Sequence, residues 1–302
     1  MSADKKLLLI ANPRSGKSKI RPALMGVVEV FSNASYSVTV YPTKSRGDAI
    51  EKAASLKKNE YDLLVVCGGD GTLNEVITGV MQSKLDIPIG YIPAGTLNEW
   101  SSGLGISRKI KQAARDIVSG KEVNLDIGKF GDRYFTYTAS FGAFTSVSYS
   151  TPQDIKNVFG QAAYIFGGIK SLGSIKPIHL KCECNDKTFE GDYLCGAVSK
   201  SLSVGGIVKF NQAVVNLNDG MFEVLLIKNP SNILKLQPMI DGILKQELDR
   251  EGMEFFHTNS LKIFLEDKEL DWTLDGEHAS QTGMIEISNI QNAIRFIVPQ
   301  KD

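Results

Sequence analysis

The first part of the chain alternates short apolar runs with segments in which apolar residues recur every three or four positions. Continuous apolar runs predict buried parallel strands, and the spacing of three and four predicts amphipathic helices. Strands are predicted at residues 6–11, 38–41, 61–67 and 87–92. Helix faces are predicted from Ile20, Leu24, Val27, Val28 and Phe31, from residues 48–58, from Leu73, Val76, Ile77, Val80 and Met81, and from Ile110, Ala113, Ala114 and Ile117. This alternation predicts an α/β domain with a doubly wound parallel sheet over residues 1–127.

The pattern changes near Asp126, where most later segments are β-type. A hairpin is predicted to turn at Gly131 and Asp132. Strands are predicted at 178–184, 188–198, 221–227, 260–265, 272–274, 284–287 and 293–298, with helices at 153–172 and 233–244. This composition of elements predicts an all-β domain, a β-sandwich, over residues 128–294.

Composition restricts the class of protein and the cellular compartment in which it is expected. The chain has 302 residues, and its 34 Lys and Arg balance its 34 Asp and Glu, which argues against a dedicated nucleic-acid-binding protein. We find no apolar leader and no segment apolar enough to cross a membrane. Four cysteines without a leader indicate reduced thiols in the cytoplasm. The pair Cys182 and Cys184 lacks a second pair, so core thiols are favoured over a metal site.

A glycine-rich loop joins a predicted buried strand to a predicted helix. It comprises Gly68, Gly69, Asp70, Gly71, Thr72, Leu73 and Asn74. Glycine allows a positive φ and a close approach of ligand to backbone, and N–H groups at a helix start attract phosphate. Asp70 would not bind phosphate directly, but it could hold a magnesium ion that does. The alternative is a glycine turn that only closes a βα unit.

A second loop of similar character follows the next strand, with Gly95, Thr96 and Asn98. Loops after successive parallel strands lie at the same edge of the sheet, where open α/β sheets bind ligands. The two loops together therefore favour phosphate binding.

The loop after the first strand offers a different interpretation. Asn12, Pro13, Arg14, Ser15, Gly16, Lys17 and Ser18 fit a relaxed P-loop pattern, with Ala11 in place of its first glycine. Pro13 removes a main-chain donor, and a P-loop would leave the loop at Gly68 unexplained. Lys17 could neutralise phosphate charge or be a solvated side chain.

These three loops, in this order, resemble the diacylglycerol kinase catalytic-domain family. That family includes bacterial soluble lipid kinases and sphingosine kinases and is distantly similar to NAD kinases. The resemblance extends along nearly the whole chain, through residues 126–128, 218–224 and 274–277. One departure is Asn98-Glu99-Trp100, where the family usually has Asn-Asp-Phe.

The resemblance implies an NAD-kinase-like nucleotide domain followed by a β-sandwich that carries the acceptor site and the catalytic acids. A strand near residues 295–302 is implied to return to the first domain. ATP and Mg²⁺ are the implied cofactors. Asn12, Pro13, Arg14, Ser15, Gly16 and Thr43 match further nucleotide contacts of the family.

The resemblance also gives Glu277 the role of proton acceptor and makes Asp275 its partner. Two carboxylates at positions i and i+2 of an extended segment point the same way, so one can bind a metal while the other takes a proton. The alternative is a surface turn, because Asp-Gly is a strong hairpin signal.

Asn216, Asp219 and Met221 match positions that hold a structural magnesium in some bacterial members. Asn216 and Asp219 would offer side-chain oxygens and Met221 its backbone carbonyl. The alternative is a turn at Asn218, Asp219 and Gly220 that only begins a strand.

The expected function is an ATP- and Mg²⁺-dependent lipid kinase, peripheral to the membrane, that converts diacylglycerol to phosphatidic acid. Tyr164, Phe166 and Ile169 could line a lipid groove, although apolar helix faces are more often core. A kinase of a soluble acceptor in the manner of NAD kinase, and a nucleotide-binding module without turnover, stay open. A homodimer stays open as well.

Overall fold

The computed structural model describes residues 5–17, 20–142, 177–185, 187–200, 203–204, 208–209, 216–231, 233–266 and 269–300. The chain divides into two compact units. Unit 1 comprises Met1–Asp126 and Asn292–Asp302, and unit 2 comprises Ile127–Gln291. The predicted helix 153–172, with Tyr164, Phe166 and Ile169, lies outside the described residues.

Unit 1 alternates strands with helices, as the apolar pattern predicts. The elements are β1 (Lys5–Ala11), α1 (Ile20–Asn33), β2 (Tyr36–Pro42), α2 (Asp48–Ala54), β3 (Leu63–Gly68), α3 (Asp70–Ser83), β4 (Pro88–Pro93), α4 (Glu99–Gly103) and α5 (Ile110–Ser119). The prediction extended α2 to residue 58, but the chain leaves the helix after Ala54 and turns through Asn59, whose φ is 63°.

Unit 2 is built mainly of strands. Its first elements are β5 (Lys121–Phe130), which begins in unit 1, β6 (Arg133–Phe135), β7 (Thr138–Gly142), β8 (Ile178–Cys184), β9 (Lys187–Ser199), β10 (Ser203–Val204) and β11 (Val208–Lys209). The later elements are β12 (Phe222–Lys228), α6 (Ile233–Lys245), β13 (Met253–Thr258), β14 (Ser260–Leu265), β15 (Leu270–Leu274), β16 (Glu277–Gln281) and β17 (Met284–Val298).

The sheet of unit 1 is parallel, with strand order β17–β4–β3–β1–β2. The strands β1 and β3 are buried along almost their whole length, which explains their continuous apolar sequence. Arg295 and Phe296 of β17 pair with Pro88 and Ile89 of β4. The last part of β17 therefore adds a parallel strand beside β4, and β5 pairs with β17 in turn.

Unit 2 is antiparallel, with strand order β16–β15–β7–β9–β8–β14–β17, and β12 lies between β9 and β13. The second half of β9 pairs with β7 on one side and with β12 on the other. Trp272 lies at the centre of the core, with ring centroids 5.0 Å from Phe130 and 4.8 Å from Phe141. An α/β unit and an antiparallel β unit are thus the predicted fold class.

The four cysteines are buried and free. Cys182 and Cys184 belong to the core of unit 2, where burial raises the pKa of Cys182 to about 12. A thiol in this state is a poor metal ligand, because the thiolate is the coordinating form. The core interpretation of this pair is therefore favoured.

Candidate active site

Three loops meet at the carboxyl edge of the unit 1 sheet. The Asn12 N–H donates to the Cys67 carbonyl at 2.8 Å, and the Ala94 N–H donates to the Gly68 carbonyl at 2.7 Å. The Asn12 side chain donates to Thr72 Oγ1 at 3.0 Å. The loops after β1, β3 and β4 are therefore joined by hydrogen bonds, as expected of successive parallel strands.

Glycine is required in these loops by close contact between backbones. A Cβ atom on Gly95 would lie 2.5 Å from the Cα atom of Gly69, and one on Gly16 would lie 1.9 Å from the Ala94 carbonyl oxygen. The positive φ expected in the loop at Gly68 is not found at Gly68, Gly69 or Gly71, whereas Gly16, for which it was not expected, has a φ of 49°. The sequence gives no sign of this difference, because both needs select glycine.

Asp70 begins α3 and directs its carboxylate towards the second glycine loop. Its Oδ2 accepts a hydrogen bond from the Glu99 N–H at 3.2 Å. Its Oδ1 is buried and has no hydrogen-bond partner in the part of the chain that the structure describes. Burial raises the pKa of Asp70, while N–H groups of the loop oppose this rise. A buried carboxylate oxygen in this state is a suitable ligand for a cation.

Some of the other predicted nucleotide-contact residues form hydrogen bonds that hold the loops in place, and the rest differ in their burial. Ser15 Oγ accepts from the Gly69 N–H at 3.3 Å, the Arg14 N–H donates to Asn12 Oδ1 at 3.0 Å, and the Thr43 N–H donates to the Ala11 carbonyl at 2.9 Å. Leu73 is buried in α3, whereas Thr96 is exposed. Pro13 and Asn74 are partly buried, beside β1 and in α3 respectively.

Two residues, one in a loop and one in β4, support the glycine loops, and sequence reasoning gave neither of them this role. Asn98, at a φ of 50°, binds both the N–H and the carbonyl of Gly95 at 2.9 Å. The Tyr91 hydroxyl lies 3.3 Å from both the Gly68 carbonyl and Asn98 Oδ1. Tyr91 has the sequence context of an ordinary strand residue, so no sequence signal identifies its supporting role.

In unit 2, Asp275 and Gly276 form the two-residue turn between β15 and β16, with φ values of 50° and 83°. The expected extended segment that aligns Asp275 with Glu277 is therefore wrong. The turn reverses the chain, and Leu274 pairs with Glu277 across it. Positive φ at both turn residues is the geometry that favours Asp-Gly.

The Asp275 carboxylate is buried and accepts four hydrogen bonds. Oδ2 accepts from the N–H and hydroxyl of Thr136 at 2.6 and 2.8 Å, and Oδ1 accepts from the N–H groups of Tyr137 and Thr138 at 2.9 and 3.0 Å. Burial raises the pKa of Asp275, and these donors oppose the rise. Asp275 thus holds the hairpin against residues 136–138, and Glu277, partly buried, begins β16 immediately after it.

Asn216, Asp219 and Met221 converge on the side-chain nitrogen of Lys200. Lys200 Nζ lies 2.6 Å from the Asn216 carbonyl, 2.7 Å from Asp219 Oδ1 and 2.6 Å from the Met221 carbonyl. The metal-ligand role of the Asn216 side chain stays a prediction; here its Oδ1 accepts from the Asn218 N–H at 3.3 Å, while its carbonyl faces Lys200. Sequence reasoning did not identify Lys200.

The three acceptors do not fit a magnesium ion as they stand. Each already accepts a hydrogen bond from Lys200, and magnesium would need to occupy the position of that ammonium at about 2.0–2.1 Å from each oxygen. Among the described residues there is also no cluster of three or more His, Cys, Asp or Glu that could hold a metal.

Comparison with known proteins gives the same family as the motifs. The model of the diacylglycerol kinase catalytic domain matches residues 6–130. The diacylglycerol kinase of Bacillus subtilis (strain 168) is 31% identical over 302 residues, which are 98% of this chain and 97% of the relative. The diacylglycerol kinase of Staphylococcus saprophyticus subsp. saprophyticus is 34% identical over 232 residues, which are 77% of this chain and 75% of the relative.

The fold is shared with a solved structure. A crystal structure from Bacillus anthracis str. Sterne, assigned as a diacylglycerol kinase, matches with a TM-score of 0.79 and 25% identity. The match covers 99% of this chain and 96% of that one. The resemblance drawn from the loop motifs is thereby confirmed: the chain belongs to the diacylglycerol kinase family, and it is a kinase that transfers a phosphoryl group to an alcohol.

Proposed function

We propose that the protein is an ATP- and Mg²⁺-dependent lipid kinase that phosphorylates the hydroxyl of diacylglycerol to give phosphatidic acid. The observation that carries this proposal is the meeting of three loops at one sheet edge around Asp70, in a chain related to diacylglycerol kinases along its whole length. Phosphoryl transfer needs a phosphate cradle, a cation and a group that accepts the hydroxyl proton.

The loops of unit 1 are suited to the nucleotide. A cradle at Gly68, Gly69 and Gly95 leaves no side chain between a phosphate and the backbone, and the start of α3 supplies N–H groups. Magnesium would be held at Asp70, whose Oδ1 is buried without a hydrogen-bond partner among the described residues. ATP would supply the phosphoryl group, and the cation would neutralise its charge.

Glu277 is our candidate for the proton acceptor. It is partly buried and begins β16 directly after a turn that four hydrogen bonds to Asp275 hold in place. A carboxylate held in this way loses little conformational freedom when a hydroxyl binds beside it. In this scheme Asp275 positions Glu277 and does not itself exchange a proton.

A lipid acceptor requires access to a bilayer. In the part of the chain that the structure describes, no helix is long and apolar enough to cross a membrane. We therefore propose that the enzyme reaches diacylglycerol by binding at the membrane surface.

The test is transfer of labelled γ-phosphate from Mg·ATP to diacylglycerol in mixed micelles, beside a soluble panel that contains NAD. We expect label in diacylglycerol, and we expect Glu277→Gln to reduce kcat by at least about 100-fold, because general base catalysis contributes 10²–10⁴-fold. Glu286→Gln, which changes an exposed carboxylate on β17, is the matched control and should retain full activity.

The outcomes separate the alternatives. Label in NAD alone would keep the kinase and contradict the lipid acceptor. ATP binding without label in any acceptor would favour a module without turnover. Full activity of Glu277→Gln would show that another group accepts the proton.

A further inference from the structure

The ammonium of Lys200 lies at the centre of a small hydrogen-bonding site in unit 2. Its three acceptors come from one short turn, as the Asn216 carbonyl, the Asp219 carboxylate and the Met221 carbonyl, all within 2.7 Å. An ammonium has three N–H donors and no acceptor. Among the described residues, these three acceptors equal the donors of the ammonium in number.

The site is closed to solvent on the lysine side. The Lys200 side chain is 1% exposed, whereas Asp219 is 33% exposed. A buried ammonium is retained only when it is paired and fully hydrogen-bonded, and here both conditions hold. Burial would raise the pKa of Asp219, but the hydrogen bonds from Lys200 and Met221 outweigh burial and hold the pKa below its usual range.

The backbone fixes both partners in place. The Lys200 N–H donates to the Tyr137 carbonyl at 2.9 Å, which anchors the base of the long side chain. The Met221 N–H donates to Asp219 Oδ1 at 3.0 Å, and Gln291 Nε2 donates to the Asn218 carbonyl at 3.2 Å. The turn is thus held in the shape that presents its three oxygens inward.

A divalent cation and an ammonium use such oxygens in different ways. Magnesium requires about six ligands at about 2.0–2.1 Å, whereas an ammonium requires three acceptors at hydrogen-bond length. The contacts of 2.6–2.7 Å and the number of acceptors agree with the ammonium. Lys200 also cannot share the position with a cation, because like charges at contact distance repel.

We propose that Lys200 is a built-in replacement for a structural divalent cation, so that the turn at residues 216–221 is held by a side chain and needs no metal. The stability of unit 2 is then independent of Mg²⁺ and Ca²⁺. Removal of Lys200 leaves three oxygens facing an empty position that a cation can enter.

The test measures thermal unfolding without nucleotide, in EDTA, in excess Mg²⁺ and in excess Ca²⁺. Because the cation proposed at Asp70 would raise the midpoint of every variant, the response to metal at this site is the part that exceeds the response of Asp219→Ala. The unmodified protein should show no such response. Lys200→Ala should unfold roughly 5–10 °C lower in EDTA, because Asp219 loses its buried partner. Metal should restore part of this loss, because a cation can enter the space that the lysine side chain leaves. Lys200→Met, which fills the space without charge, should be lowered and should show no response to metal at this site.

Two controls isolate the site. The double variant Lys200→Ala/Asp219→Ala should show no response to metal at this site, since it lacks the carboxylate. Lys181→Ala removes an exposed lysine that pairs with Glu183 in the same unit, and it should leave both the midpoint and its response to metal unchanged.

Two results would overturn the proposal. One is a metal-induced rise of the midpoint in the unmodified protein that disappears in Asp219→Ala. The other is a Lys200→Ala variant whose midpoint responds to neither metal at this site. Should the Lys200 variants fail to fold, Mn²⁺ binding followed by electron paramagnetic resonance decides the question. Equal binding by the unmodified protein and Asp219→Ala supports the proposal, and a site lost in Asp219→Ala contradicts it.

Discussion

At the scale of the residue, position 95 requires glycine because the backbone of Gly69 lies too close to it for a Cβ atom. A Cβ on Gly95 would lie 2.5 Å from the Gly69 Cα and 2.7 Å from Asn98 Oδ1, both in a loop of the proposed phosphate cradle. Neither neighbour is the flexible end of a long side chain, so the backbone itself would need to move. The two glycine loops therefore depend on each other's shape.

We predict that Gly95→Ala lowers the free energy of unfolding by about 1–3 kcal/mol, the usual cost of overpacking, and weakens ATP binding. Denaturant unfolding and ATP titration measure the two effects. Gly103→Ala is the matched control, because a Cβ on Gly103 meets no atom within 4 Å. Unchanged ATP affinity in Gly95→Ala would contradict the cradle.

Single residues also show which features of the site can be predicted from the sequence and which cannot. The glycines, Asp70 and the Asp275–Gly276 turn could be found from the sequence because their residue types are selected by local needs. Lys200 could not, since its acceptors are two backbone carbonyls and a carboxylate that only the folded turn brings together. The donors that surround Asp275 are mostly backbone N–H groups, which leave no mark on the sequence.

At the scale of the element, the hairpin of β15 and β16 is fixed by one buried side chain at its turn. The two oxygens of Asp275 accept from three consecutive residues, 136–138, and the Asp275 N–H donates back to the Thr138 carbonyl at 2.9 Å. The hairpin therefore depends on a carboxylate with two acceptor oxygens.

We predict that Asp275→Asn lowers the free energy of unfolding by about 2–4 kcal/mol, because an amide nitrogen cannot accept the hydrogen bonds of Thr136 and leaves buried donors unpaired. Chemical denaturation measures the change. Asp271→Asn, on the exposed side of β15, should change stability by less than about 1 kcal/mol. Equal losses in the two variants would show that burial of Asp275 has no special effect.

Sequence reasoning missed β13 and α4, and it also missed two strands with small or polar residues, β7 and β16. The sequences of β7, Thr-Ala-Ser-Phe-Gly, and β16, Glu-His-Ala-Ser-Gln, have little apolar alternation. They are strands because β15 lies between them and supplies hydrogen bonds to both. The two segments predicted at 284–287 and 293–298 are one strand, β17, because backbone pairing continues where exposed Gln291 and Asn292 interrupt the apolar pattern.

At the scale of the whole molecule, unit 1 takes the strand that pairs with β4 on its outer side from a distant part of the sequence. Phe296 is fully buried, with its ring centroid 4.9 Å from that of Trp100 in α4. Arg295 forms ion pairs with Asp86 at 2.7 Å and with Glu122 at 2.8 Å, and the Asn292 N–H donates to Asp126 Oδ1 at 2.8 Å. These contacts tie the end of β17 to unit 1.

We predict that Phe296→Ala lowers the free energy of unfolding of unit 1 by about 3–5 kcal/mol, since a buried aromatic ring is removed from a packed core. The fluorescence of Trp100, which lies against this ring, would follow the transition, with Trp272→Phe as the background so that unit 2 is silent. Gln300→Ala, at an exposed position beyond β17, should have no effect. An unchanged Trp100 transition in Phe296→Ala would contradict the assignment.

The pairing of β17 with β4 also determines when the sheet of unit 1 can be completed during synthesis of the protein. Translation produces the first four strands of the unit 1 sheet early, but the residues of β17 that pair with β4 are made only after all of unit 2. At ordinary translation rates this delay is on the order of ten seconds. During that interval the outer edge of β4 has no strand beside it, so the nascent chain passes through a stage at which it is most exposed to mispairing and most in need of a chaperone.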